Sequence, residues 1–434
     1  MGNLGSAEQI DQATPTVSPS VGGLRSLTQS EVDALIKLHA RFYAGLPGGR
    51  RADFGFCDLS ELSLVDADLG DANFSGARMV RTDLSGARAE NAVFFCCDMR
   101  DAVLGKANLR RTDLRGASLR GANLTGADLF EADLREGVIA ETDALGNLRY
   151  RNHEQEPNQS DVGEAVFANA NLEGANLSGM LAIRTDFSGA VMKNCKMIRA
   201  NLKQADFTGA NLEGSDLSGA DLTDANLTDS VLAGVDLTMA TLHQARLDNA
   251  LTDAPVGTPM ADLDPPALDQ IEDHIRFIES GGAEGSPANL SGVDMRPIKL
   301  MANLNLAALS ARGTTFYALD MSSVKFQGAH LEGADFRSAN LEGADLRGAN
   351  LTGADFSGAV LRDCNMGPLI ISAKRRLPTQ LVEAKLRNVD LRGADLAQAV
   401  LDRADITGAR LDGAKTESAS MNGVRDDEAD TGAP

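Results

Sequence analysis

The chain has 434 residues, with 41 Lys and Arg against 62 Asp and Glu, and a formal net charge of −21 at pH 7. This excess of acids argues against a protein that binds nucleic acid directly through a broad basic surface. No apolar run approaches the length of a membrane span, and the N-terminus lacks a basic-then-apolar signal segment. The sequence therefore predicts a soluble cytoplasmic protein.

The N-terminal part is predicted to be a flexible tail followed by a helix. Residues 1–26 are rich in Ser, Thr, Gly and Pro, and residues 27–51 contain the helix and a link. Thr28 and Glu31 have the spacing of a capping box, and Gly45 is suited to end the helix. One helical face is apolar or aromatic, comprising Val32, Leu35, Ile36, His39, Phe42 and Tyr43.

After this helix a large apolar residue recurs at every fifth position, here called i. From Phe54 to Leu134 position i occurs 17 times, and 16 of these residues are Leu, Phe or Met. Five residues turn a helix through about 500°, and on a strand they end on opposite faces, so neither element has this period. We expect a coil with one corner per repeat. Positions i and i−2 face inward, i−1 faces outward, and i+1 and i+2 form the turn.

The same period fills most of the chain. It recurs 17 times with 16 matches from Phe167 to Leu247, 13 times with 12 matches from Leu306 to Met366, and 8 times with six matches from Leu386 to Met421. Such regularity identifies the repeat as the architecture of the chain. The repeats occupy residues 52–253 and 288–424.

The residues LEGADFRSANLEGADLRGANLTGADF, from Leu331 to Phe356, show the repeat at its clearest. This pattern resembles the A(D/N)Lxx repeat of the pentapeptide-repeat proteins. The resemblance implies an all-β solenoid, namely a right-handed quadrilateral β-helix with four repeats in each coil. The sequence itself predicts two tandem modules, because a helix and a glycine-containing link precede each block of repeats.

A second helix is predicted between the blocks, within a linker of residues 254–287. Asp264 is the expected N-cap, Pro265 the first helical residue, and Gly281 the stop signal. Its apolar stripe consists of Leu268, Ile271, Ile275 and Ile278. Two interpretations of both helices stay open. Each helix is either a lid over the open end of a coil, since solenoid ends need polar caps, or a dimer surface.

Two insertions interrupt the repeats, at residues 140–163 and 367–383. Loops on a rigid scaffold often carry recognition, although a surface also tolerates insertions without a role. The candidate partner-binding residues are Arg149, Tyr150 and Arg151 in the first loop, and Lys374, Arg375 and Arg376 in the second. His153 accompanies the first group, and the apolar run Leu369–Ile371 accompanies the second. Residues 425–434 are expected to be a flexible acidic tail.

The residues that carry chemistry form no catalytic pattern. The five His residues are scattered, and none lies in a nucleophile or metal motif. Cys57, Cys97, Cys195 and Cys364 occupy position i−2, which predicts small buried residues, while Cys96 lies at a corner. A redox role for the adjacent pair Cys96 and Cys97 is the alternative. The sequence predicts no enzyme, no cofactor and no metal site.

The sequence favours a non-catalytic scaffold of the bacterial cytoplasm that binds another protein through its β-helix faces and loops. The alternative is a DNA-mimicking protein that binds and protects a topoisomerase such as gyrase, because the acidic Qnr-type members of the resembled family act in this way. Much of the negative charge lies outside the repeats, with −6 in residues 255–287 and −4 in the last nine residues. The partner and the oligomeric state stay open.

Overall fold

The computed structural model describes residues 24–137, 160–254, 256–298 and 300–426, and the backbone of two strands at residues 140–142 and 148–150. Parallel β-bridges join the outward residue of most repeats to the residue 20 positions later, as in Asp53 with Asn73. Each coil therefore contains four repeats. The bridges form two stacks, from Asp53 to Leu251 (solenoid 1) and from Asn289 to Arg425 (solenoid 2).

The backbone of each coil is hydrogen-bonded to the next one. The amide of Phe54 donates to the carbonyl of Asn73 at 2.7 Å, and the amide of Asn73 donates to the carbonyl of Ala52 at 3.1 Å. Within a repeat, the amide of Cys57 donates to the carbonyl of Phe54 at 3.1 Å and closes the corner. This pattern satisfies the backbone of a very short strand on both sides, which a five-residue repeat requires.

The interior of each coil follows the repeat, and the predicted inward and outward positions are confirmed. Large residues at position i and small ones at i−2 are buried along both solenoids except in the last coils, where Leu247 and Met421 are 39% and 37% exposed. Phenylalanines 20 residues apart stack on one another, with ring centroids 4.8 Å apart for Phe74 and Phe94 and 4.7 Å for Phe336 and Phe356. These distances equal the usual spacing of neighbouring strands, because equivalent side chains lie directly above one another.

Helix α1 spans Gln29–Tyr43 and packs on the first coil of solenoid 1. It follows β1 (Arg25–Ser26), which pairs in parallel with β2 (Cys57–Asp58). The Thr28–Glu31 capping box is present, and Gly45 follows the helix with a positive φ, as predicted. Phe42 and Tyr43 lie at the end of the predicted apolar face. They are 48% and 49% exposed, because the last helical turn extends to the rim of the coil, where the Tyr43 hydroxyl donates to Asp71.

Helix α2 spans Ala267–Glu279 and packs on the first coil of solenoid 2. It follows β5 (Thr258–Pro259) and a 3₁₀ turn at Met260–Asp262. Strand β5 pairs in parallel with β6 (Val293–Asp294), which a second 3₁₀ turn at Arg296–Ile298 follows. The predicted N-terminus is wrong. Pro266, not Asp264, is the N-cap, because its carbonyl accepts the first helical hydrogen bond from Gln270. Gly281 follows with a positive φ, as expected.

The apolar stripe of α2 differs from the prediction at one residue. Leu268 is 52% exposed, because the face against the coil is formed by Ala267, Ile271 and His274. His274 has the same role as His39 in α1. In each case the imidazole Nδ1 accepts a hydrogen bond from the amide of the first inward Ala of the repeats, at 3.1 Å for Ala288 and 3.0 Å for Ala52.

Both insertions are shorter than predicted, because the repeats resume earlier. Asp161 bridges to Ser118, 43 residues away, and Gln380 bridges to Asn350, 30 residues away, where uninterrupted coils have 20. The insertions are therefore 23 and ten residues long, and the expected bounds 140–163 and 367–383 each include the beginning of a repeat. Each insertion contains an antiparallel pair: β3 (Ala140–Thr142) with β4 (Leu148–Tyr150), and β7 (Leu369–Ser372) with β8 (Arg375–Leu377).

The two solenoids lie side by side and run in opposite directions. Arg296, near the beginning of solenoid 2, donates to the carbonyls of Thr252 and Ala254 at the end of solenoid 1. Further along, Asn388 donates to the carbonyl of Gly189, at 2.6 Å. As solenoid 2 advances its contacts move back along solenoid 1, so the chain folds into a pair of adjacent rods instead of one long particle.

Two further expectations concern cysteines and helices. All five cysteines are free and buried; Cys96 lies at a corner with positive φ, and the Cys97, Cys195 and Cys364 thiols each donate to a backbone carbonyl at 2.8 Å. Burial raises the pKa of these three thiols, as it should for inert core residues.

Neither helix in the described ranges is long and apolar enough to cross a bilayer.

Candidate interaction surfaces

The hairpin formed by β7 and β8 is the insertion whose side chains the structure describes. Its strands are joined by the two residues Ala373 and Lys374, and Leu369 pairs with Leu377 at its base. The base lies on the corner of the coil at Gly348. A Cβ at Gly348 would lie 2.7 Å from the Leu369 Cβ, so only glycine permits this close approach. The hairpin is therefore held against the solenoid at its base.

The outer part of the hairpin combines apolar and cationic side chains in solvent. Ile370 is 66% exposed and is paired across the hairpin with Arg376, so that the two side chains share one face. Lys374 and Arg375 are also exposed. No ion pair or side-chain hydrogen bond involves these three cations within the described ranges. By contrast, Arg347 and Arg392 each make a two-point contact with the Asp two residues before them.

The other candidate residues are not brought to this hairpin by anything the structure describes. Arg149 and Tyr150 lie in β4, whose backbone pairs with β3, with Arg149 opposite Glu141. Their side chains, together with Arg151 and His153, lie outside the described residues. A role for the first loop in partner binding therefore stays a prediction, as does the same role for Lys374, Arg375 and Arg376.

The contact between the solenoids contains functional residues that the sequence analysis missed. Arg337 is only 8% exposed, although it is charged. Its guanidinium binds the Asp335 carboxylate at 2.9 and 2.7 Å, and it donates to the carbonyls of Asp229 and Ser230 at 2.9 and 3.3 Å. A guanidinium with five donors can bind a carboxylate of its own solenoid and two carbonyls of the other at once. Arg337 therefore connects the two rods.

A second charged contact lies beside Arg337. The Lys385 ammonium is 2.7 Å from the Asp229 carboxylate of the other solenoid. Burial of Asp229 acts to raise its pKa, but the hydrogen bond and charge of Lys385 outweigh it, so the pKa of Asp229 is lowered. Asp355, on the same face of solenoid 2, has a raised pKa because burial dominates over the charge of Arg337. At this contact the half-buried charged side chains of the two solenoids lie beside partners of opposite charge, because a charge is rarely buried without a partner.

The apolar part of this contact departs visibly from the repeat. Val231 and Leu251 occupy outward positions 20 residues apart, where Asp or Asn is usual, and both are buried against Tyr317 of solenoid 2. Val191 holds the outward position two coils before Val231. Residues 20 positions apart share a face, so apolar residues at these outward positions were a sequence signal for a covered face. Burial raises the pKa of the Tyr317 phenol.

An open groove of about 850 Å³ runs between the solenoids beside this contact. Its charged lining residues are mostly paired: Lys193 with Glu213 at 2.8 Å, and Arg296 with Asp294 at 2.6 Å. Across the described part of the chain, no group of three His, Cys, Asp and Glu side chains is arranged to hold a metal ion. Most charges that line the groove are therefore already paired with a charge of the same solenoid.

The outward faces do not form a continuous acidic surface. The bridged column that begins at Asp58 continues with Arg78, Asp98, Ser118 and Asp161. The column that begins at Asp53 continues with Asn73 and Val93 before the next acid, Asp113. A duplex has a phosphate charge at every step, whereas these columns interrupt their acids with basic, polar and apolar residues.

The family model for pentapeptide repeats matches in eight copies, which together cover more than half of the chain. The matched residues are 50–94, 97–135, 160–197, 185–224, 215–251, 329–367 and 379–415. No curated protein sequence matches the chain.

Several solved structures are similar over parts of the chain. The pentapeptide-repeat protein Rfr23 from the cyanobacterium Cyanothece 51142 has 27% identity over 31% of this chain and 91% of its own, with a TM-score of 0.26. HetL from Nostoc sp. strain PCC 7120, involved in heterocyst differentiation regulation, has 20% identity over 89% and 93%, with a TM-score of 0.19. The plasmid-mediated fluoroquinolone resistance protein QnrB1 has 17% identity over 45% and 89%, with a TM-score of 0.25. Since these TM-scores are low, the similarities say nothing about function.

Proposed function

Because the chain belongs to the pentapeptide-repeat family, we propose that it is a non-catalytic scaffold that binds another protein through the β7–β8 hairpin. In this proposal two right-handed quadrilateral β-helices form tandem modules, and α1 and α2 each cap the first coil of one module. The protein acts in the bacterial cytoplasm and needs no cofactor. The two rods provide a rigid frame, and the hairpin provides the binding element.

The observation that carries this proposal is that the hairpin has a fixed base and exposes apolar side chains and unpaired cations. Ile370 exposes an apolar surface, and Lys374, Arg375 and Arg376 keep their charges available. A partner that meets them would replace only water contacts, because none of these side chains is bound elsewhere in the described ranges. Since the base is held at Gly348, little conformational freedom is lost when the hairpin binds.

The five-residue period allows a deletion variant that preserves the register of the repeats. Removing residues 369–378 joins residue 368 to Thr379 and restores the five-residue spacing, so Met366 is followed by Leu381 at the next position i. Pro368→Gly is included, because the position then needs a positive φ. The full-length chain and this variant are used as bait in lysate of the source organism. The expected result is a protein retained only by the full-length chain, while equal retention by both contradicts the proposal.

The topoisomerase alternative has its own direct test. Purified gyrase is assayed for supercoiling with the full-length chain and with a quinolone. A DNA mimic would change supercoiling at micromolar concentration or protect the enzyme from the drug. The mixed outward columns, and the face of solenoid 1 covered by solenoid 2, lead us to expect no effect in either assay. A clear effect would replace the scaffold proposal with the mimic.

A further inference from the structure

The outer side of α2 exposes negative charges around an apolar residue, which complement the positive charges of the hairpin. Leu268 is 52% exposed on this helix. The acids Asp269, Glu272 and Glu279 are exposed as well. None of the three acids is in an ion pair or accepts a side-chain hydrogen bond in the part of the chain that the structure describes. The helix thus carries an apolar residue among unpaired negative charges.

The hairpin has the matching set with the opposite sign. Ile370 is exposed on the same face as Arg376, and Lys374 and Arg375 stand beside them. No hydrogen bond or ion pair joins the hairpin to α2 among the described residues of one chain, so both surfaces stay available. The hairpin exposes Ile370, Ile371 and Leu377 beside its three cations, and α2 exposes Leu268 beside its three acids. Such pairing of opposite potentials around an apolar centre is typical of specific protein interfaces.

We propose that the hairpin of one copy docks on the outer side of α2 of a second copy. This inference rests on the proposed function, because it names a partner for the same hairpin. Hairpin and helix belong to the same solenoid, and a two-fold axis makes the contact twice: the hairpin of each copy meets α2 of the other. Ile370 packs against Leu268, and the cations at the hairpin pair with Asp269 and Glu272.

The charge pattern sets the expected behaviour of the dimer. Exposed ion pairs contribute little individually, so the charges of the two hairpins and the two α2 helices stabilise the dimer mainly through their sum. Because these charges are on the surface, salt screens them, with a Debye length of about 10 Å at 0.1 M. We therefore expect a dimer at low ionic strength whose dissociation constant rises at least about tenfold in high salt.

The test is a charge exchange between the two surfaces, read as molar mass by light scattering on the full chain. One variant carries Arg375→Glu and Arg376→Glu, and another carries Asp269→Lys and Glu272→Lys. Each variant alone should be a monomer, because every docking contact then joins like charges. An equimolar mixture should form the dimer again, because both contacts of the mixed pair then join opposite charges. Circular dichroism verifies that each variant is folded.

A matched control excludes an effect of net charge alone. Lys106 and Arg199 are exposed corner residues of solenoid 1 that form no ion pair within the described ranges. The double variant Lys106→Glu, Arg199→Glu changes the net charge as much as the hairpin variant does, and it should stay a dimer. Ile370→Ser should weaken the dimer without abolishing its dependence on salt.

The outcomes separate this inference from the scaffold proposal. A monomeric wild-type chain at low salt overturns the second-copy inference, and so does a dimer that both charge variants retain. Neither result affects the scaffold proposal, which depends on retention of a different protein by the hairpin. If the mixture of variants restores the dimer and the hairpin deletion still retains a partner from lysate, the hairpin is a binding element for a second copy, and only the claim that it binds a different protein fails.

Discussion

The interior of the coils and the contact between the solenoids are built on opposite principles. Inside a coil, every repeat contributes the same kind of residue at the same position, and equivalent side chains stack with a period of 20 residues. Between the solenoids, the contact is made by residues that depart from the repeat, such as Val231 and Leu251 in outward positions. The repeat specifies each rod, and the exceptions to it specify how the rods meet.

This difference has a physical basis in the range of the interactions. A coil needs only its neighbours, so each repeat is stabilised by the coils directly before and after it. The contact between the rods joins residues such as Gly189 and Asn388, which are far apart in the sequence and belong to different rods. A pattern that repeats every five residues carries no information about such a contact, but deviations from the pattern do.

The largest effect is expected from removing a stacked ring inside a coil. Phe336 is fully buried between Phe316 and Phe356, with ring centroids 5.0 and 4.7 Å away. Phe336→Ala should lower the free energy of unfolding by about 3–5 kcal/mol, because it removes the stacking contacts and leaves a cavity. Chemical denaturation measures this change. His330→Ala, at an exposed outward position, should change it by less than about 0.5 kcal/mol.

A similar loss for both variants would contradict the assignment of inward and outward positions. That assignment could be predicted from the sequence alone, because an odd period forces a corner in every repeat. The N-terminus of α2 could not be predicted in this way. Asp264, Pro265 and Pro266 each offer a plausible beginning, and the packing of Ala267 and Ile271 on the first coil decides among them.

The second prediction separates the contact between the rods from the rods themselves. Arg337→Ala removes a buried guanidinium and leaves Asp335 and the carbonyls of Asp229 and Ser230 without it. The expected cost is about 3 kcal/mol, concentrated in the contact between the solenoids. Small-angle X-ray scattering should then show a larger maximum dimension, because the rods separate while each stays folded.

The matched control for this variant is Arg392→Ala. Arg392 binds Asp390 at 2.8 and 2.7 Å, in the same local arrangement that Arg337 has with Asp335. The two arginines differ in that only Arg337 is seen to donate across to solenoid 1. Arg392→Ala should leave the scattering profile unchanged. Equal expansion in both variants would mean that the local Arg–Asp pair, not the contact between the rods, controls the shape.

The third prediction concerns the base of the hairpin. Gly348 and Gly353 both have a positive φ, but a Cβ would clash with Leu369 only at Gly348. Gly353→Ala should cost about 1 kcal/mol, because it introduces a left-handed alanine. Gly348→Ala should cost about 1 kcal/mol more and should loosen the hairpin, so that trypsin cleaves faster at Lys374 to Arg376. Unchanged cleavage would show that the hairpin does not depend on this contact.

The sequence predicted the hairpin only in part. Its cations and its apolar run were recognised because they interrupt the repeat. Its length was overestimated, because Thr379 and Gln380 do not resemble the usual small residue and Asp or Asn at positions i−2 and i−1. The register of β7 and β8, and the glycine below them, depend on a close approach that no local pattern encodes. The first loop, with Arg149, Tyr150 and Arg151, stays a prediction.

The smallest effect is expected at the ion pair between the rods, where the direction of the pH dependence is informative. The pKa of Asp229 is lowered from its ordinary value of 3.8, so the folded state binds its proton less readily than the unfolded state does. The stabilisation is therefore complete above about pH 4 and is lost as the pH falls through the lowered pKa.

Asp229→Asn should cost about 1 kcal/mol at pH 7, because the pair is partly exposed. The difference between wild type and variant should shrink as the pH falls below about 4 and through the lowered pKa of Asp229, as measured by denaturation at each pH. Lys385→Met should reproduce this behaviour, since it removes the other partner. A difference that stays constant with pH would mean that Asp229 acts through its shape and not through its charge.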